Sequence, residues 1–142
     1  MFRNILLVFE DEIICAEAVT YAREFALRMD CQVTFLMLVP MAFIGRAMLG
    51  SKRNALHRIE SRVAKQLSAC SENFIQHGIE VTSALRVGDP AQEMLKFLAD
   101  RPPFHAVVWG SSQELPGKGH WINRTAGNLE CPLLTVSRKT AQ

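Results

Sequence analysis

The segment Asn4-Ile5-Leu6-Leu7-Val8-Phe9 constrains this chain more than any other. A run that is apolar at consecutive positions suits a strand covered on both faces, and such strands belong to parallel sheets flanked by helices. Each parallel connection then needs a crossover, usually a helix. The residues that follow supply one: Ile14, Ala18, Ala22, Phe25 and Met29 recur every three or four positions along one side of a helix that ends near Asp30.

The alternation continues along the chain. Residues 31–39, CQVTFLMLV, read as a second strand stopped by Pro40, with a long loop from there to about Asn54. Leu56, Ile59, Val63, Leu67, Cys70 and Phe74 mark a second helix that closes at Gly78. Residues 79–87, IEVTSALRV, are a third strand, less apolar than the first and therefore nearer an edge. In VGDPAQEML, Asp89 can cap a third helix, Pro90 take its first position and Gln92 its third. FHAVVWG at 104–110 is a fourth strand, WINRTAGNL a short helix, and CPLLTVS at 131–137 a fifth strand. These elements predict an α/β fold: one open five-stranded parallel sheet with helices on both faces, in a single domain spanning residues 1–142.

Composition excludes several functions. With 49% hydrophobic and 21% charged residues the chain is not a disordered regulator. A net charge of +2, with the basic residues scattered, gives no ground for nucleic-acid binding. The longest apolar region, FLMLVPMAFIGRAML, is broken by Pro40, Gly45 and Arg46, and Glu10-Asp11-Glu12 interrupts the N-terminal apolar run, so neither a membrane span nor a signal peptide is expected. Cys15, Cys31, Cys70 and Cys131 form no Cys-x-x-Cys pair and read as reduced thiols. The expectation is a cytoplasmic protein.

NILLVF, VGDPAQEML, AVVWGS and CPLLTVS stand in the order found in the universal stress protein family, which the whole chain resembles. The resemblance implies a Rossmann-like fold with strand order 3-2-1-4-5, usually dimeric, that binds adenine nucleotides and serves stress adaptation. Ligands of such sheets settle at the carboxyl ends of the strands where the order reverses. The resemblance therefore places a pocket at Phe9 and Glu10, Leu38 and Val39, Val87 and Gly88, and Gly110 with Ser111.

The family's phosphate loop is Gly, two residues, Gly, nine residues, then Gly with Ser or Thr, so that backbone amides can approach phosphate. Gly110 matches its first position, Gln113 stands where the middle glycine would be, and Gly119-His120 replace the final pair. Counted back from Cys131-Pro132, the loop is about four residues short. Glu10-Asp11-Glu12 adds three carboxylates that would repel phosphates unless they faced solvent or held Mg²⁺. Lys118 and two glycines in PGKGHW could form an anion site, and a plain surface turn accounts for the same residues. His120 could contact phosphate, act as an acid or base, or simply start a helix.

The expected function is a regulatory or binding module with an altered adenine-nucleotide pocket. ATP or AMP would bind weakly or not at all, with Mg²⁺ only alongside ATP. One alternative is an ATP-binding or slowly ATP-hydrolysing protein, with Glu10 or Asp11 placing Mg²⁺ and Lys118 and His120 on the phosphates. The other is a ligand-free dimeric adaptor. A homodimer through residues 131–137 would cover an exposed sheet edge. The apolar residues in loop 40–53 mark a surface for a protein partner, a lid or a segment folded over its own core.

Overall fold

The structure, a computed structural model, describes residues 3–40 and 49–136, with the side chains of 49–52 left aside. The strands are β1 (Arg3–Glu10), β2 (Cys31–Val39), β3 (Val81–Val87), β4 (Ala106–Trp109) and β5 (Leu133–Leu134). Between them lie α1 (Ala16–Met29), α2 (Leu49–Gln76), α3 (Pro90–Ala99) and α4 (Trp121–Ala126). The strands form one sheet in the order β3-β2-β1-β4-β5, and every pairing is parallel.

β1 lies at the centre, paired with β2 along its full length and with β4 from Ile5 to Val8. Successive side chains of a strand point to opposite faces. Ile5, Leu7 and Phe9 therefore enter one core with α1 and α2, while Leu6 and Val8 enter a second core with Met94, Phe97, Trp121 and Ile122. All five β1 residues from Ile5 to Phe9 are fully buried, which is why the segment has no polar alternation.

Each helix shows how its sequence seats it. In α1 the buried positions Ala18, Ala22 and Ala26 recur every fourth residue, and such small side chains let the helix sit close to the sheet. Asp30 ends α1 in the left-handed conformation at φ 56°, its N–H donating to the Ala26 carbonyl. In α2 the residues Ile59, Val63, Leu67 and Phe74 are buried as the periodicity predicts. Gly78, at φ +82°, turns the chain out of α2, and Ile79 N–H reaches back 3.1 Å to the Phe74 carbonyl. Asp89 caps α3, its carboxylate accepting from Gln92 N–H at 3.0 Å with Pro90 at the first helical position.

Three boundaries differ from expectation. Helix α2 begins at Leu49, inside the stretch expected to be loop. Residues 51–54, Ser-Lys-Arg-Asn, present no apolar face, so hydrophobic periodicity registers only the packed part of the helix that starts at Leu56. The rest of the expected loop, 41–48, lies outside the described residues. Strand β3 starts at Val81 rather than 79, and none of its residues is fully buried, as suits its place at the edge. Strand β5 is two residues long where 131–137 was expected. Pro132 has no N–H for the ladder, and only its carbonyl joins, accepting from Val107 at 2.9 Å; Ser137 lies outside the described residues.

The first core is built round Phe35, which stands edge-on between Phe9 at 5.9 Å and Phe74 at 5.2 Å. Phe35→Ala should lower unfolding stability by about 3–5 kcal/mol. Urea denaturation is the measurement, and a loss below about 1 kcal/mol would mean that the core closes round the gap.

Candidate functional site

At β1 the strand order reverses, since β2 lies on one side and β4 on the other. The connections leaving these strands cover opposite faces, and the carboxyl ends of the central strands flank a crevice. Its rim is knitted by backbone hydrogen bonds. Asp11 N–H donates to Leu38 at 2.8 Å, Gly88 N–H to Val39 at 3.0 Å, and Cys15 N–H to Gly110 at 2.8 Å. Ser111 is a structural tie: its hydroxyl accepts from Glu10 N–H at 2.8 Å and donates to the Ile13 carbonyl at 2.7 Å.

The expected pocket residues do come to one end of the sheet, but their side chains do different things. Phe9, Leu38 and Val39, expected at the pocket, are buried, and their side chains belong to the two cores. The Phe9 ring lies directly beneath Gly110, where an added Cβ would sit 2.6 Å from it. Gly110 is therefore required by close approach. Val87 ends β3, and Gly88 follows at φ +151°, a conformation that L side chains rarely adopt, with Glu93 3.0 Å from the place of a Cβ.

Glu10 and His120 meet across the crevice. His120 Nδ1 accepts from the Ile122 N–H at 3.0 Å, capping α4. That assignment leaves the proton on Nε2, which donates to Glu10 Oε1 at 2.7 Å. The second carboxylate oxygen, Oε2, accepts from the Trp121 indole N–H at 3.0 Å. Both side chains are largely covered, with 24% of His120 and 20% of Glu10 exposed. Trp109 closes the cluster, its ring centroid 5.4 Å from His120 and 6.1 Å from Trp121, and its own N–H donates to Ser112 Oγ at 2.9 Å.

The other two carboxylates of the acidic run turn elsewhere. Asp11 and Glu12 both have positive φ, 56° and 62°, so the backbone coils and the three side chains diverge. Glu12 takes a two-pronged contact from Arg62 of α2 at 2.8 and 2.9 Å, and Gln66 donates to its carbonyl at 3.2 Å. The Arg62 hydrogen bonds hold the Glu12 carboxyl below the usual carboxylate range, against the opposing effect of burial. Asp11 is exposed. The concentrated negative field expected from three adjacent carboxylates is thus dispersed, one to His120 and Trp121, one to Arg62 and one to solvent.

The turn before α4 is held by α4's own side chains. Asn123 donates to the carbonyls of Pro116 and Gly117 at 2.8 and 2.7 Å, and Arg124 to that of Gly119 at 2.9 Å. His120 N–H is used by the Gly117 carbonyl at 3.0 Å. Lys118 and Gly119 are exposed, and a Cβ at Gly119 would meet nothing within 4 Å. The turn is therefore tied through its carbonyls, while two of its amide donors, those of His120 and Ile122, already have internal acceptors. Among the described residues no three of His, Cys, Asp and Glu are grouped to hold a metal ion.

Sequence reasoning missed the partner of His120, together with Trp109, Trp121, Arg62 and the Asn123–Arg124 ties. The only local signal was His120 beside Trp121, two donor-bearing rings at a helix start; their acceptor lies 110 residues away from His120.

The model of the universal stress protein family matches residues 1–137. Among solved structures, a universal stress family protein from Burkholderia pseudomallei is 15% identical, covering 94% of each chain with a TM-score of 0.71. A universal stress protein from Lactobacillus plantarum is 17% identical over 96% of this chain and 98% of its own, with a TM-score of 0.70. One from Arabidopsis thaliana, solved with AMP bound, is 17% identical over 97% and 93%, with a TM-score of 0.62. No curated protein sequence matches. No helix among the described residues is long and apolar enough to cross a membrane.

Two substitutions separate a glycine required by packing from one that is not. Gly110→Ala should cost about 1–3 kcal/mol through the clash with Phe9, whereas Gly119→Ala should change stability by less than about 0.5 kcal/mol. Thermal or urea unfolding reads both, and equal effects would refute the assignment. Glu12→Gln should lower the urea midpoint at neutral pH. Because the folded Glu12 pKa is depressed, its stabilising effect is present above the unfolded value and lost as pH falls through the folded one. The gap between wild type and variant should therefore close on acidification below the carboxylate range; a gap constant with pH would count against the Arg62 contact.

Proposed function

Because the chain belongs to the universal stress protein family, we propose that it is a regulatory binding module of the stress response whose adenine-nucleotide pocket is altered on its phosphate side. One observation carries this reading: at the mouth of the crevice His120 commits its Nε2–H to Glu10 and its Nδ1 to the Ile122 amide, and the Trp121 indole N–H is likewise committed to Glu10. A triphosphate bound there would find fewer donors, each worth about 1.5–3 kcal/mol when charge-assisted. The ligand we assign is an adenine nucleoside or nucleotide, such as AMP or ATP, held mainly through base and ribose. Mg²⁺ would accompany only ATP. The Arabidopsis relative, solved with AMP, supports the class of ligand.

Slow ATP hydrolysis is the weaker reading, since it needs Glu10 or Asp11 on a metal and His120 on phosphate while Glu10 and His120 are engaged with each other. A homodimer through β5 and the residues after it fits the sheet, in which β5 is an edge strand. Beside that edge an apolar groove of about 630 Å³ runs along α1, lined by Tyr21, Phe25, Met29 and Val136, which gives a second copy something to cover. Four unbridged cysteines suit a reducing cytoplasm. For a protein partner we retain the segment 40–53.

Competition among adenosine, AMP and ATP in the presence of Mg²⁺ tests the ligand reading. The three should bind within about tenfold of one another, each tenfold being 1.4 kcal/mol. A strong preference for ATP that Lys118→Ala abolishes would establish a working phosphate cradle instead. Leu134→Lys should weaken the dimer in sedimentation, and a tight wild-type monomer would refute the proposed interface.

A further inference from the structure

We propose that the open edge of β3 is a docking site for an extended segment of a partner protein, one that is small or apolar along one side and acidic along the other and adds a further strand to the sheet. The site lies at the opposite end of the sheet from β5 and uses none of the crevice residues Glu10, Gly110 and His120, so it stands apart from the nucleotide reading.

β3 ends the sheet, and among the described residues it pairs with β2 alone. The alternation of a parallel ladder fixes which of its backbone groups are left over. Val33 N–H donates to the Glu80 carbonyl and Gly88 N–H to that of Val39, both at 3.0 Å, so Thr82, Ala84 and Arg86 between them face β2. Val81, Ser83, Leu85 and Val87 therefore turn their N–H and C=O groups outward. Such edges are normally kept short, bulged or guarded by Pro or Lys. Residues 81–87, VTSALRV, contain neither residue, and the strand runs seven residues against two for β5.

The two flanks of this edge differ in chemistry. On the α2 side Ser83 and Leu85 form one wall of a groove of about 500 Å³, and Ala64, Leu67, Ser68 and Ser71 form the other. Small side chains leave room there for those of an added strand, while Glu60, the one charged residue of the lining, disfavours acids on this side. On the α3 side lie two guanidiniums. Arg86 stands 5.3 Å from the centre of the Phe97 ring and Arg101 3.6 Å from it, so the two cations are no farther apart than those distances laid end to end. Among the described residues neither forms an ion pair, although both are half-buried. The Arg86 guanidinium donates at 3.1 Å to the carbonyl of Leu85, one of the outward groups, which places it on the edge itself.

These flanks choose the occupant. Successive side chains of an added strand point to opposite faces, so one set enters the α2 groove and the other meets Arg86 and Arg101. Acidic residues in the second set supply the counter-charge that both cations lack. A second copy of β3 does not fit, because VTSALRV carries no carboxylate and brings another Arg86.

A blocked peptide alternating valine and glutamate over the length of β3 tests the site, with a peptide of valine and lysine as control. In NMR hydrogen exchange on the full chain, the glutamate peptide at millimolar concentration should slow the amides of Val81, Ser83, Leu85 and Val87 far more than those of Thr82, Ala84 and Arg86, which already face β2. The lysine peptide should bind at least about tenfold more weakly. Arg86→Gln should weaken the glutamate peptide about tenfold, as for loss of a charge-assisted contact, and Arg101→Gln should weaken it to a smaller degree. If the four outward amides stay unprotected, if the lysine peptide binds as well, or if both variants unfold at the wild-type temperature and bind undiminished, the proposal is overturned. Protection of the same amides in the free chain as its concentration rises would make the occupant a second copy and overturn it equally. Self-association of Arg86→Gln, with no peptide binding by wild type, would reduce Arg86 to a guard of the edge.

Discussion

Burial of β1 on both faces is the constraint from which the rest of the molecule follows. With Ile5, Leu7 and Phe9 committed to one core and Leu6 and Val8 to the other, neither face of the sheet can be left to water. Helices must cover both, and a parallel sheet supplies them through its crossovers. At about 25 cal/mol per Å² of apolar surface removed from water, a strand apolar on both sides contributes more per residue than one that alternates. The same requirement puts β1 in the middle, where the order reverses, and so places the crevice at its carboxyl end. Fold and candidate site share one cause.

At that end the apolar logic gives way to a polar one. One residue beyond Phe9 the chain carries a carboxylate, and Glu10 is satisfied only by residues from the far side of the sheet. Glu12 is satisfied by α2. The acidic run thus acts less as a charged patch than as a set of ties that fasten the β1–α1 turn to α2 and α4. The same donors that settle these carboxylates are withdrawn from any incoming anion, which links the stability of the rim to the kind of ligand it can accept.

How far the sequence revealed this depended on the range of the interaction concerned. β1, the α2 stripe from Ile59 to Phe74, the Asp89 cap and the Gly78 stop depend on neighbours within a few turns, so composition and spacing disclosed them. The start of α2 was hidden because the sequence from 51 to 54 contains no apolar residue to extend the stripe, and the length of β5 because ladder pairing depends on what β4 offers. The pairing of Glu10 with His120 was invisible for a stronger reason. No local pattern encodes a contact spanning 110 residues, and His120 read alone was a helix start, which it also is. The buried state of Phe9 beneath Gly110 was equally beyond reach, since it depends on the approach of two strands.

The position of β1 also sets an order on assembly. Its β2 partner begins at Cys31, but its other neighbour begins at Ala106, paired with Ile5 across about a hundred residues of chain. During synthesis β1, β2 and β3 with α1 and α2 can associate while the second edge of β1, whose residues Ile5 to Phe9 are fully buried in the finished fold, is still open. Until β4 arrives that edge is a template for any other extended chain, which makes the interval before residue 106 emerges the time of greatest exposure to aggregation. Closing the long loop carries an entropic cost that local helix formation does not, so the β1–β4 ladder should limit the folding rate. Glu10 and His120 can meet only after it, and the site is therefore the last part of the molecule to acquire its form.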